Sequence, residues 1–181
     1  MKTLFLSLFL LSAVPCTAQI DLPPDFQQLL DSLDVRFTAP LDSDYRESLH
    51  HDNDYLVDDF AINSRRERLE LRFHLRPEVV GDRYYQLPHL AATTLAMNLG
   101  SNDEDAVTAV HSFSDEELDF YGADWARMFT FRPKRSFSDK QQAQLIALYR
   151  EGRGLAYTVL LFNRAPSTLE GRRMSLRFRG D

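Results

Sequence analysis

The sequence predicts a single α+β domain, a mostly antiparallel sheet of about six strands flanked by helices as a sandwich. Three observations carry that expectation. Leu69, Leu71, Phe73 and Leu75 alternate with Glu70, Arg72, His74 and Arg76, the period of two that a sheet with one buried face writes into a chain. The last third holds successive strand-like runs, two of them joined by Glu151-Gly152-Arg153-Gly154, the strongest turn signal present. Residues 89–99, rich in Ala, Leu and Met, end at Gly100 as a helix should.

Taken in order, Pro23 and Pro24 suit a helix start, where a missing N–H costs nothing. Phe26, Leu29, Leu30 and Leu33 then mark one apolar face. Residues 34–38 read as a short strand with Val35 and Phe37 on one side, and Pro40 ends it. Residues 41–54 form a polar, acidic loop that closes on His50-His51-Asp52-Asn53-Asp54. Strands are expected at 55–63 and 69–75, joined by the basic connection 64–68. The polar face of the second, His74 included, is expected to meet solvent. A loop with Tyr84 and Tyr85 leads to the helix at 89–99, whose expected stripe runs through Leu90, Thr94, Met97 and Asn98 and is broadened by Leu95 and Leu99.

Ser101 with Glu104 reads as a capping box, and Asp103 and Asp105 favour the positive end of a second helix that fades near Ser112. Ser114 with Glu117 gives another box for one or two turns, stopped at Gly122. Strand 123–131 carries apolar weight on both faces and is expected to be central. The loop 132–140 precedes strand 142–150. Strand 155–162 is nearly all apolar and expects cover on both sides. Strand 173–178 closes the sheet, with Met174, Leu176 and Phe178 sharing a face.

The N-terminus sets the expected compartment. Lys2, the apolar run 4–14 and small residues at Cys16 and Ala18 read as a secretory signal peptide over 1–18, cleaved after Ala18. That run is shorter than the roughly 20 residues a bilayer span needs, and no later stretch offers a transmembrane segment. The α+β domain is then 19–181, exported to the periplasm or beyond the cell. Lipidation at Cys16 is the alternative, against which Pro15 stands where a lipoprotein signal wants a small residue.

No cysteine follows Cys16, so a cleaved chain excludes disulfides, thiol catalysis and cysteine metal sites. The formal net charge of −6 argues against a phosphate-backbone partner, and no nucleic acid is expected. Basic clusters at Arg65, Arg66 and Arg68, at Arg132, Lys134 and Arg135, and at Arg172 and Arg173 read as solvated loop charge.

The sequence has no nucleophile elbow, P-loop or dinucleotide glycine pattern, so no catalytic residue and no cofactor is expected. No metal is expected either. His50 and His51 face opposite ways on an extended chain. The carboxylates of Asp42, Asp44, Asp52 and Asp54 are of the type calcium takes, but their spacing does not match a calcium loop. The ligand-binding candidates are Asp124, Trp125 and Arg127, with the indole as an apolar wall, the carboxylate as a polar anchor and the guanidinium beside them. The competing reading makes Trp125 the core anchor of the sheet, worth about 3–5 kcal/mol on truncation, and Asp124 a turn cap or the partner of an arginine.

Residues 55–63 paired with Glu70-Leu71-Arg72-Phe73-His74-Leu75-Arg76-Pro77, then helices, then Gly122-Ala123-Asp124-Trp125 and Leu155-Ala156-Tyr157-Thr158-Val159-Leu160-Leu161-Phe162 form an order that resembles secreted bacterial proteins with a PsbP-like sandwich. The likeness covers most of 19–181 and rests on element order. PsbP is a non-enzymatic accessory subunit of photosystem II. The resemblance therefore implies a binding or assembly role and carries over no active-site residue. The expected function is an exported non-catalytic accessory or binding protein with a cell-envelope protein partner. The alternative is a periplasmic hydrolase or small-molecule enzyme with dispersed catalytic residues. Its mark is His74, His89 or His111 beside a carboxylate in a concave pocket.

Overall fold

The computed structural model describes residues 20–48, 54–81 and 87–180. The segment 1–18 with Cys16, the run His50-His51-Asp52-Asn53, and Tyr84 and Tyr85 lie outside those residues. The element order is α1 (Pro24–Ser32), β1 (Val35–Phe37), β2 (Arg46–Glu47), β3 (Phe60–Ser64), β4 (Leu69–Pro77), α2 (Pro88–Leu99), β5 (Ala109–Ser112), α3 (Asp115–Tyr121), β6 (Trp125–Phe131), β7 (Gln142–Arg150), β8 (Gly154–Phe162), α4 (Leu169–Arg173) and β9 (Leu176–Phe178). Strands β2-β3-β4-β8-β7-β6-β5, in that spatial order, form one antiparallel seven-stranded sheet, and β1 pairs with β9 as a separate ribbon. The α+β sandwich is as expected, with a wider main sheet.

Register sorts the side chains into two cores. Leu71 lies opposite Leu160, Ala156 opposite Leu148, and Ile146 opposite Met128. These residues meet α1 and the β1–β9 ribbon through Phe26, Leu30, Leu33, Val35 and Phe178. Phe26, Phe37, Phe60 and Phe73 interlock there, with ring centroids 4.9 Å apart for Phe26–Phe60 and an edge contact at 5.2 Å for Phe37–Phe73. The opposite face, with Val159, Leu145 and Phe129, is roofed by α2. β8 is buried along its whole length, as its unbroken apolar run requires. Each fully buried Leu or Val on it is worth about 1.5–3 kcal/mol.

Several expectations fail for reasons the packing makes clear. α2 buries Ala91, Ala92, Ala96 and Leu99, while Leu90 and Met97 face solvent. Small alanines let the helix axis sit close to the sheet, and the larger residues are left outside. The expected solvated face of β4 is buried: Glu70, Arg72 and His74 are 9%, 1% and 8% exposed. They survive burial by pairing along the strand. Arg72 donates to Glu70 at 2.7 Å, with its guanidinium 4.7 Å over the Phe137 ring.

The helix expected between Ser101 and Ser112 does not form. The carboxylates of Asp103 and Asp105 bind Arg132 at 2.9 and 2.8 Å, and the Ser101 hydroxyl caps Asp103 instead of Glu104. These contacts hold an extended loop, and residues 109–112 then pair with β6. The strand expected at 55–63 begins only at Phe60, and β2 and α4 carry no strong sequence signal. The strand expected at 173–178 is α4 followed by β9. Among the described residues no helix is long and apolar enough to cross a membrane.

The β7–β8 turn depends on Gly154, whose φ is +125° and whose added Cβ would overlap the carbonyl oxygen of Arg76. Gly154→Ala is expected to lower stability by at least about 3 kcal/mol in urea unfolding. Gly171→Ala, inside α4 where a Cβ meets open space, should instead raise it by about 0.5–1 kcal/mol.

Candidate functional site

The Asp124 carboxylate accepts the Glu151 amide at 2.7 Å, and the Asp124 amide donates to the Tyr149 carbonyl at 2.9 Å. Asp124 thus ties the start of β6 to the β7–β8 turn. Trp125 is half-buried, packed at the border of the core beneath α2, with Arg127 lying 5.6 Å from its ring centre. The indole and guanidinium are together; the carboxylate is turned to the hairpin.

The three histidines among the described residues take different positions. His74 is enclosed, stacked on Tyr157 at 6.0 Å, with Nδ1 3.2 Å from Asp59 and Nε2 accepting from Arg76 at 2.7 Å. Nδ1, although near Asp59, is buried without a hydrogen-bond partner. This is an internal strut of the sheet rather than the solvated residue expected. His89 is exposed on α2. His111, on the edge strand β5, is the one in a concave setting.

That setting is a cleft of about 310 Å³ between β5, α3 and α4. Its bed is built from Phe113, Phe120, Tyr121, Met128 and Met174, and its rim carries Glu116, Glu117, Glu170 and Arg173. The α3 capping box constructs one wall. Ser114 Oγ accepts the Glu117 amide at 3.3 Å while a Glu117 oxygen accepts the Ser114 amide at 2.8 Å. The other Glu117 oxygen is left 3.8 Å from His111 Nε2. The Ser114 amide, with help from His111, holds the Glu117 carboxyl below its ordinary pKa.

Gly122, left-handed at φ +60°, turns the chain sharply after Tyr121; an added Cβ would press on the Phe178 carbonyl at 3.0 Å. This fixes the aromatic trio. Phe113 stacks on Tyr121 at 5.4 Å and Phe120 meets it edge-on at 5.2 Å. Burial pushes the Tyr121 phenol up to about 12. Arg173 is held by the buried Gln144 at 3.0 Å. Phe120 and Met174 remain 47% and 38% exposed. The cleft was not legible as a unit, because β5 and α4 were expected as other structures. The Ser114–Glu117 box was its only sequence signal.

On the other flank of α4 lies a polar network. Glu67, in the β3–β4 turn, accepts from Arg172 at 2.6 and 3.0 Å, from Tyr45 at 2.8 Å and from Thr168 at 2.9 Å. Arg172 also reaches Asp42 at 2.9 Å. The reading of Arg172 as solvated loop charge is thus overturned; it is 7% exposed. Burial alone would raise the Glu67 carboxyl, but the bonds from Arg172, Tyr45 and Thr168 outweigh it and hold the group down to about 2. Among the described residues no cluster of three or more His, Cys, Asp or Glu stands together as a metal site.

Because Trp125 is only half-buried, Trp125→Ala should cost about 1–3 kcal/mol, below the range of a fully buried tryptophan, as read from urea unfolding. Glu67 has a depressed folded-state pKa. Its contribution is therefore complete above its ordinary value of 4.5 and is lost as pH falls toward about 2. The stability gap between the wild-type chain and Glu67→Gln should shrink across that window by about 2–3 kcal/mol. No protein-family model, no curated protein and no solved structure matches this chain.

Proposed function

We propose that the protein is an exported non-catalytic accessory or binding protein, and that its partner, a protein of the cell envelope, inserts side chains into the cleft between β5, α3 and α4. The observation that carries this reading is the pair Phe120 and Met174, large apolar side chains of the cleft left half-exposed beside the stacked Phe113 and Tyr121. Side chains of this kind, ringed by charge, are what an interface uses as anchors. The carboxylates Glu116 and Glu170 form no ion pair with a described residue, and they suit a partner that brings basic groups beside an apolar one. The order of elements, similar to the PsbP-like sandwich, supports an assembly role, and the apolar run at 4–14 supports export to the periplasm or beyond.

One observation favours a second reading, a hydrolase or small-molecule enzyme with dispersed catalytic residues: His111 faces Glu117 inside a concave site. Their separation of 3.8 Å exceeds hydrogen-bond reach, and Glu117 is already engaged as a helix cap. Accessory binding is the stronger reading.

The test is affinity purification of a tagged chain from the cell envelope, beside Phe120→Arg. A stable partner should accompany the wild-type chain and be lost, at least tenfold, with Phe120→Arg at unchanged melting temperature. A monodisperse monomer without partner under several extraction conditions overturns the proposal. Turnover of small ester or amide substrates that His111→Ala abolishes would replace it with the second reading.

A further inference from the structure

The β3–β4 turn, Ser64-Arg65-Arg66-Glu67-Arg68, is fixed from the inside and charged on the outside. Its one acid, Glu67, is drawn into the network of Arg172, Tyr45 and Thr168. The Asp44 carboxylate accepts the Ser64 hydroxyl and the Arg66 amide, and Ser64 Oγ accepts the Glu67 amide at 2.9 Å. Arg68 takes the left-handed region at φ +53°, a conformation that a side-chain-bearing residue adopts only when its surroundings impose it. The guanidinium groups of Arg65, Arg66 and Arg68, and of Arg164 across from them, form no ion pair with any described residue.

Two grooves meet at this turn. One, of about 510 Å³, lies between Arg66, Arg68 and Arg164. The other, of about 450 Å³, lies between Arg65, Arg68 and Lys140. Both touch Arg68 and Asn163. Asn163 uses its Oδ1 to accept the Gln141 amide at 2.9 Å, which leaves its NH₂ as a further donor. Both carboxylates lining the larger groove, Glu67 and Asp42, are matched by Arg172; in the smaller one Glu70 is matched by Arg72, and Lys140 is taken by Asp139. The charge left over in the larger groove is therefore cationic, although the chain as a whole carries −6.

We propose that the β3–β4 turn and the loop 163–168 form a clamp for a doubly charged oxyanion, a phosphate monoester group or free phosphate, held chiefly by Arg66, Arg68 and Arg164 in the larger groove. Planar guanidinium forks match the oxygens of such a group two at a time, and a turn braced by Glu67 and Asp44 presents them with little ordering left to do. The acidity of the remaining surface selects a localised anion over a long polyanion such as nucleic acid. The site is separate from the cleft, so its success or failure leaves the accessory reading untouched.

The probes are inorganic phosphate and sulfate, titrated at constant ionic strength against chloride and followed through the arginine Nε–H resonances. Saturable binding in the millimolar range or tighter is expected, with shifts confined to Arg65, Arg66, Arg68 and Arg164. Both Arg66→Gln/Arg68→Gln and Arg66→Gln/Arg164→Gln should weaken it at least tenfold with unchanged melting temperature, since these side chains are exposed. Vesicles then separate the sources. Flotation with phosphatidate but not with phosphatidylglycerol identifies a membrane-borne monoester, and phosphate binding without flotation identifies a free one. An unsaturable response, a response equal to that of chloride, wild-type affinity in both double variants, or equal flotation with both lipids overturns the proposal.

Discussion

The whole architecture answers to one constraint: β8 and its neighbours are buried on both faces. A strand reading Gly154-Leu155-Ala156-Tyr157-Thr158-Val159-Leu160-Leu161-Phe162 has no side to give to water. One face therefore takes α1 and the β1–β9 ribbon, and the other takes α2. Adjacent β4 inherits the same double cover, which traps Glu70, Arg72 and His74 inside. The Arg72–Glu70 ion pair offsets what would otherwise be an uncompensated burial of charge, and His74 is held separately by Arg76. With both sheet faces closed, the surfaces left to meet another molecule are the rims, and the cleft and the arginine turn both lie there.

The fold was legible in the sequence wherever one periodicity ruled. The alternation 69–75, the capping box at Ser114 and Glu117, the turn Glu151–Gly154 and the apolar run 155–162 all appear where their patterns place them. The pattern misled where tertiary pairing overruled local propensity. Residues 101–112 carry a helix-start signal, yet Arg132 captures Asp103 and Asp105, and the open edge of β6 takes residues 109–112 as a strand. Alternation in β4 was read correctly as strand but wrongly as half-solvated, because the cover over its polar face is assembled from distant segments near Leu56 and Phe137. Apolar residues on α2 were visible, but which side packs is set by the close approach that Ala91, Ala92 and Ala96 permit.

The candidate sites were less legible than the fold. Asp124, Trp125 and Arg127 are neighbours in sequence and drew attention for that reason, but Asp124 serves a turn. The cleft draws on β5, α3, β6 and α4, and the arginine rim on the β3–β4 turn and a loop roughly a hundred positions later, separations that no local motif records. In both cases local capping supplies the rigidity: Ser114 for one, Ser64 and Asp44 for the other. Short α4 stands between them, giving Arg172 to one side and Arg173 to the other.

The pairing of β4 with β8 also governs how the chain must assemble. β3 and β4 close a local hairpin, and β6, β7 and β8 form a local meander, but the seam joining these halves links Leu69 to Phe162 and Pro77 to Gly154. The N-terminal half cannot acquire its central neighbour until the last strand of the main sheet has been synthesised. Such long-range closure makes folding slow and late, since loop entropy is spent before the seam rewards it. Until then the unpaired edge of β4, rich in Leu and Phe, stays open as the segment most exposed to misassociation.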